Sequence, residues 1–145
     1  MKRAAVVLGA LSLLTLAGCV APGVEFRTDD PAAIEAVNDA LDVWTRDVGE
    51  LPALLIVGPA TEDDPPGIDG RCSRRIGGTR AYAFSDRVSG AKLTFAALHE
   101  LAHAALTCSS ADHVDDRDSL LFPRNVGNSV NRIDPLTPAK IRAAM

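Results

Sequence analysis

Histidine and cysteine are scarce in this sequence, basic residues are in the minority, and no segment is repeated. The chain has 145 residues, with three histidines, three cysteines and a formal net charge of −4. After the N-terminal segment, Arg74 and Arg75 are the only adjacent basic residues, which argues against nucleic acid as a partner. The chain length predicts a single domain that is large enough to bury a core.

No apolar segment is long enough to span a bilayer comfortably. The longest one, Ala4 to Leu16, follows two basic residues and has the length of a signal-peptide core. It runs into Leu16-Ala17-Gly18-Cys19, which resembles the lipobox of bacterial lipoproteins. The resemblance implies that residues 1–18 are a signal peptide and that lipid on Cys19 anchors the protein to the extracytoplasmic face of a bacterial membrane. An ordinary secretory signal is the alternative.

The cysteine count agrees with this interpretation. If Cys19 carries lipid, Cys72 and Cys108 remain as an even pair. An exported protein folds in an oxidising compartment, so we expect a disulfide between them. Two unpaired buried thiols, or Cys72 as a metal ligand, are the alternatives.

Turn residues and hydrophobic periodicity divide the rest of the chain. We predict a lipidated tether over residues 19–29 and a folded domain over residues 30–145. Asp30 and Pro31 provide an N-cap and a first helical position for a helix whose apolar positions recur every three or four residues up to Val48.

The remaining pattern predicts an α+β fold. A small twisted mixed sheet would pack on the N-terminal helix and on a central buried helix, with a C-terminal helix capped by Thr137. The predicted strands are Ala53–Val57 and Thr79–Phe84, and the predicted central helix is Leu93–Leu106.

The central helix carries the motif with the strongest chemical meaning, His99-Glu100-Leu101-Ala102-His103. Histidines four residues apart lie on one helical face, so both can reach the same metal ion. Glu100 lies about 100° around the helix, where it can accept a proton from metal-bound water. Such side chains are costly to bury unless they are paired or coordinated, which argues against two purely structural histidines.

A catalytic zinc site usually has three protein ligands and one open position. No glutamate follows Glu100, which excludes a thermolysin-like site with a downstream glutamate ligand. His113, the only other histidine, is the best candidate for the third ligand. The alternatives are the nearby carboxylates of Asp112, Asp115, Asp116 and Asp118.

These segments resemble the metzincin peptidases, and the matrix metalloproteinases among them. That family follows the motif HExxHxxGxxH with a turn that reads like Ala-Leu-Met-Tyr-Pro. Here Leu120-Leu121-Phe122-Pro123 follows His113 at a similar spacing, with Leu121 at the methionine position. The segments around Trp44 and after Thr137 resemble the first and last helices of the family.

The resemblance implies a zincin fold of the metzincin type and one catalytic Zn²⁺ bound by His99, His103 and His113. Glu100 would be the general base in peptide-bond hydrolysis. A peptide or protein substrate would lie along an edge strand, and we expect a monomer. The residues assigned to that edge strand are Thr79, Arg80, Ala81, Tyr82, Ala83 and Phe84.

The sequence also departs from the family pattern. Leu106 stands at the glycine position and Ser109 at the third-histidine position, so that His113 comes four residues late. Without glycine the chain cannot turn sharply there. The extra residues can extend the helix by about one turn, and Cys108 can pin the longer turn.

Two other functions are compatible with these residues. One is a zinc-binding lipoprotein that captures or transfers metal without catalysis. The other is a degenerate peptidase that binds a partner. Measured turnover separates both from an active zinc endopeptidase.

Overall fold

The computed structural model describes residues 20–109, 113, 119–121 and 133–144. Within these residues the chain forms a small α+β fold with a four-stranded mixed sheet and three helices. The α+β class, the mixed sheet and the three helices were predicted, but only two of the four strands were. In chain order the elements are β1 (Gly23–Phe26), α1 (Pro31–Asp47), β2 (Leu54–Gly58), β3 (Gly70–Arg75), β4 (Gly78–Phe84), α2 (Ala91–Ala105) and α3 (Leu136–Ala144). None of these helices is both long and apolar enough to span a bilayer.

The sheet has the strand order β1-β2-β4-β3. Strand β2 pairs in parallel with both β1 and β4, and β3 pairs antiparallel with β4. The middle strands are the most apolar, with Leu55, Val57, Ala81 and Ala83 fully buried. A strand covered on both faces has this composition.

The predicted strand at Thr79–Phe84 exists as β4, but its assignment to the sheet edge was wrong. β4 lies inside the sheet, because β2 pairs with one side and β3 with the other. Its backbone groups therefore cannot receive an added strand. Among the described residues the edge strand beside β4 is β3, a polar segment that the sequence patterns did not predict.

The boundary predicted at residue 30, between the tether and the folded domain, was placed too late. Residues 23–26 form β1, which pairs with β2 at the other edge of the sheet. The folded domain therefore begins before residue 30. This short edge strand is half-buried or exposed at every position, so it lacks the alternation that would reveal a strand.

Helix α1 begins as predicted. The carboxylate of Asp30 accepts a hydrogen bond from the amide of Ala32, and Pro31 is the first helical residue. The buried face includes Val37 and Trp44. The Trp44 indole nitrogen donates to the carbonyl oxygen of Glu50, which satisfies its buried N–H group.

Helix α2 packs against both the sheet and α1. It is buried on nearly all sides, and Leu93, Leu98 and Leu101 are fully inaccessible. The hydroxyl of Thr94 donates to the carbonyl oxygen of Ala36 in α1. Alanine on α1 lets the two helices approach closely enough for this bond.

The predicted extension of the central helix does not occur, because α2 ends at Ala105. The chain turns at Thr107 and Cys108, which adopt left-handed φ values of 66° and 61°. The amide of Cys108 donates to the carbonyl oxygen of His103. The chain therefore turns here without glycine. The four extra residues before His113 come after this turn and not in a longer helix.

The predicted disulfide is present between Cys72 and Cys108. It connects the edge strand β3 to the turn after α2, across a sequence separation of 36 residues. Because Cys72 is used in this bond, it is not a metal ligand.

The start of α3 differs from the prediction. The helix begins at Leu136, so Thr137 lies inside it and is not its cap. The carboxylate of Asp134 accepts hydrogen bonds from both the amide and the hydroxyl of Thr137. Asp134 therefore satisfies the donors at the beginning of this helix.

Candidate metal centre

Three imidazole nitrogens converge at one point beside α2. The Nε2 atom of His103 lies 3.1 Å from that of His99 and 2.8 Å from that of His113. The third separation, between His113 and His99, is 3.4 Å. The two helical histidines share a face because they are one turn apart, and the chain after α2 brings His113 to them. Among the described residues, these three form the only cluster able to hold a metal ion.

The separations fit a tetrahedral metal. Zinc lies about 2.0–2.1 Å from histidine nitrogens, so tetrahedral angles would place two such nitrogens roughly 3.3 Å apart. The three observed separations bracket this value. The residues present therefore suit a three-histidine metal site.

Backbone carbonyl groups orient two of the rings. Nδ1 of His99 lies 2.6 Å from the carbonyl oxygen of Leu120, and His103 makes a backbone hydrogen bond at Ser109. A ring whose Nδ1–H donates to a carbonyl presents the Nε2 lone pair. Two lone pairs facing each other repel unless a cation lies between them, so this arrangement favours metal binding.

Burial keeps the rings of His99 and His103 uncharged near neutral pH. The pKa of His99 is lowered to about 4, mainly by desolvation and also by the neighbouring imidazoles, while the hydrogen bond to Leu120 opposes the change. Desolvation and the nearby His113 also lower the pKa of His103 to about 4. Neutral imidazole is the form that coordinates a metal.

Glu100 is buried beside the histidines. Glu100 is only 8% exposed, and within the described part of the chain no hydrogen bond or ion pair reaches its carboxylate. Burial, with a smaller contribution from the charge of Asp69, raises the pKa of Glu100 to about 8. A carboxyl group in this state can accept and return a proton near neutral pH.

Gly70, the first residue of β3, contacts Glu100 directly. A Cβ atom added to Gly70 would lie 2.8 Å from Cγ and 3.2 Å from Oε1 of Glu100, and it would also collide with the carbonyl oxygen of Tyr82. Only glycine fits between the carboxylate and β4. The sequence showed Gly70 as part of a loop, and nothing in the pattern indicated this contact.

Asp134 supports the metal centre from a distance. Its carboxylate accepts a 2.8 Å hydrogen bond from the amide of Leu120, whose carbonyl oxygen faces His99. It also accepts hydrogen bonds from Ser119 and Thr137. One side chain thus holds the residue that orients a ligand and the start of α3, a role that sequence analysis missed.

Leu121, at the position of the family methionine, is fully buried in the hydrophobic core. Phe122 and Pro123 lie outside the described residues. The lipidation candidate Cys19 also lies outside them, as do the alternative ligands Asp112, Asp115, Asp116 and Asp118.

Comparison with known proteins assigns no family. No family model matches the chain, and no curated protein matches it. The resemblance to the metzincins therefore rests on the residues of this sequence alone.

Proposed function

We propose that this protein is a zinc-dependent endopeptidase held at a bacterial membrane by lipid on Cys19. The observation that carries the proposal is the convergence of the Nε2 atoms of His99, His103 and His113 within 2.8–3.4 Å, next to the buried carboxyl group of Glu100. The histidines would hold the ion. A zinc ion bound in this way supplies a Lewis acid and a water of lowered pKa, near about 7.

Glu100 performs the proton transfers in this proposal. With a dication held by the adjacent histidines, the carboxyl group of Glu100 would be ionised and could accept a proton from the attacking water. The same group returns the proton to the leaving amine, as the bond between the carbonyl carbon and nitrogen breaks. Its burial excludes bulk water that would otherwise compete for the proton.

The peptide would add to β3 rather than β4. Strand β3 pairs only with β4 in the described part of the chain, so its outer N–H and C=O groups can pair with an extended peptide. The disulfide at Cys72 fixes this strand to the turn after the metal-bearing helix. Gly70, the first residue of this strand, lies against Glu100.

The decisive experiment is cleavage of a mixed peptide library by the zinc-loaded full chain, with Glu100→Gln as the matched variant. We expect wild type to cleave, and Glu100→Gln to bind zinc equally while turnover falls by orders of magnitude. Equal cleavage by both proteins would show that Glu100 is not the base. Zinc binding without cleavage by either protein would favour a metal carrier or a degenerate peptidase.

A further inference from the structure

The turn between β3 and β4 presents an apolar side chain that the fold does not need. Ile76 is exposed completely, at 106% of the reference area, and it is by far the most exposed large hydrophobic residue among those described. The two-residue turn consists of Ile76 and Gly77, and the positive φ it requires is supplied by Gly77 at 98°. A polar residue would satisfy the position of Ile76 equally well.

The strands next to this turn carry positive charge on an acidic protein. Residues 70–85 include four arginines and no acidic residue, whereas the whole chain has a net charge of −4. One of the four, Arg71, lies at the far end of β3 and pairs with Asp64. Arg74 and Arg75 directly precede Ile76, and both are exposed. The fold therefore concentrates basic charge around a fully exposed isoleucine.

The chain leaves the proposed lipid anchor at the same place. The amide of Val20 donates a 2.6 Å hydrogen bond to the carbonyl oxygen of Gly77. Val20 also packs on Gly78, where an added Cβ would lie 3.3 Å from the Cβ of Val20. Cys19 is the preceding residue, and consecutive Cα atoms are only about 3.8 Å apart. Acyl chains on Cys19 would thus enter the bilayer beside the β3–β4 turn.

We propose that the β3–β4 turn docks on the anchoring membrane, with Ile76 inserted at the headgroup level and Arg74 and Arg75 against anionic lipid headgroups. Exposed basic residues next to a bilayer are attracted by its negative surface potential, and an apolar side chain gains by leaving water. The inference rests on the lipid anchor of the proposed function. Docking would give the domain a defined orientation, whereas the lipid anchor alone would leave the domain free to tumble.

The orientation has a consequence for the substrate. Gly70, which contacts Glu100, lies at the opposite end of β3 from the turn. Five residues of strand place it about 17 Å from Arg75. Docking would thus hold the metal centre at a fixed height above the bilayer, and favour peptide segments close to the membrane surface.

Quenching of tryptophan by brominated lipids tests the docking directly. The full chain, extracted with its lipid, is reconstituted into vesicles of phosphatidylethanolamine and phosphatidylglycerol with brominated acyl chains. The test variant is Ile76→Trp. The matched control is Phe26→Trp, because Phe26 is 36% exposed and lies at the opposite end of the sheet. Its position follows from the strand register, in which Phe26 lies opposite Val57 and Val57 lies opposite Ala83. Wild type supplies the background of the buried Trp44.

We expect the added emission of Ile76→Trp to fall at least twofold in brominated vesicles, while Phe26→Trp is unchanged. Adding Arg74→Glu and Arg75→Glu to Ile76→Trp should reduce the quenching. Equal quenching of the two tryptophan variants by the brominated lipids would overturn the docking. The mass of the N-terminal peptide separates the causes of failure. If Cys19 carries lipid and no quenching is seen, only the docking proposal is refuted. If Cys19 carries no lipid, both the anchor and the docking are refuted.

Discussion

The α-carbon of Gly70 packs against the side chain of Glu100, so closely that a Cβ atom there would lie 2.8 Å from Cγ of the glutamate. The first residue of the edge strand thus limits where the carboxyl group can lie. In a peptidase this contact would couple the strand that binds substrate to the group that transfers the proton. A peptide added to β3 would lie next to the base.

Gly70→Ala should impair both the fold and the activity. The added methyl group overlaps Glu100 and the backbone of Tyr82, and overpacking of this kind costs about 1–3 kcal/mol. We expect a lower free energy of unfolding and a larger relative loss in kcat than in zinc affinity. The control is Gly23→Ala, since a Cβ at Gly23 meets nothing within 4 Å. Wild-type kcat in Gly70→Ala would show that the contact does not position Glu100.

The pKa of Glu100 predicts a pH-dependent stability difference in the metal-free protein. Because burial raises this pKa from 4.5 to about 8, the folded state retains a proton that the unfolded chain has lost between these pH values. The stabilisation from this group is complete below pH 4.5 and lost as the pH rises to about 8. Glu100→Gln removes the effect.

The stability of Glu100→Gln relative to wild type should therefore increase between pH 4.5 and 8, by up to about 1.4 kcal/mol per pH unit. The depressed pKa values of His99 and His103 are expected to contribute similarly to both proteins, so they largely cancel in the difference. Chemical denaturation of both proteins with a chelator present measures this difference in the free energy of unfolding. A difference that stays constant over this range would mean that Glu100 is not protonated in the folded state.

His113→Ala should abolish tight zinc binding, because it leaves two histidines at a site that needs three protein ligands. We expect a loss in affinity of at least about 100-fold, measured by competition with a chromophoric chelator. Asp115→Ala is the control, since Asp115 represents the carboxylates considered as alternative ligands. If Asp115→Ala weakens binding and His113→Ala does not, the third ligand is a carboxylate.

Asp134→Ala should weaken zinc binding without removing a ligand. The carboxylate holds the amide of Leu120, and the carbonyl oxygen of Leu120 orients His99. Loss of such outer partners typically costs 10- to 100-fold in metal affinity. Asp134→Asn, which retains an acceptor oxygen, should recover part of the loss. Equal zinc affinity in wild type and Asp134→Ala would show that the hydrogen bonds of Asp134 do not influence the metal centre.

Thr107→Gly should stabilise the protein. Thr107 is exposed and adopts a left-handed φ of 66°, which costs a β-branched residue about 1–2 kcal/mol. Part of the gain is offset by the greater freedom of glycine in the unfolded chain, so we expect an increase of about 0.5–1 kcal/mol in the free energy of unfolding. Thr107→Ala, which keeps a Cβ atom, should give less. A destabilised Thr107→Gly would mean that the turn is not strained.

Sequence alone specified the elements with strong local signals. The N-cap at Asp30 and the apolar spacing after it predicted α1, because capping and periodicity are properties of neighbouring residues. The pair His99 and His103 could be placed on one helical face for the same reason. The even pair of Cys72 and Cys108 predicted a disulfide that the structure contains.

Tertiary structure decided what depends on residues distant in sequence. Strand β3 is short and polar, so only its pairing with β4 reveals it. In the described part of the chain this pairing makes β3 the edge strand in place of Thr79–Phe84. The contacts of Gly70 with Glu100 and of Asp134 with Leu120 leave no local signal. Local chemistry therefore determined which residues could bind a metal, and packing between strands, helices and turns determined how they are oriented and where a substrate could approach.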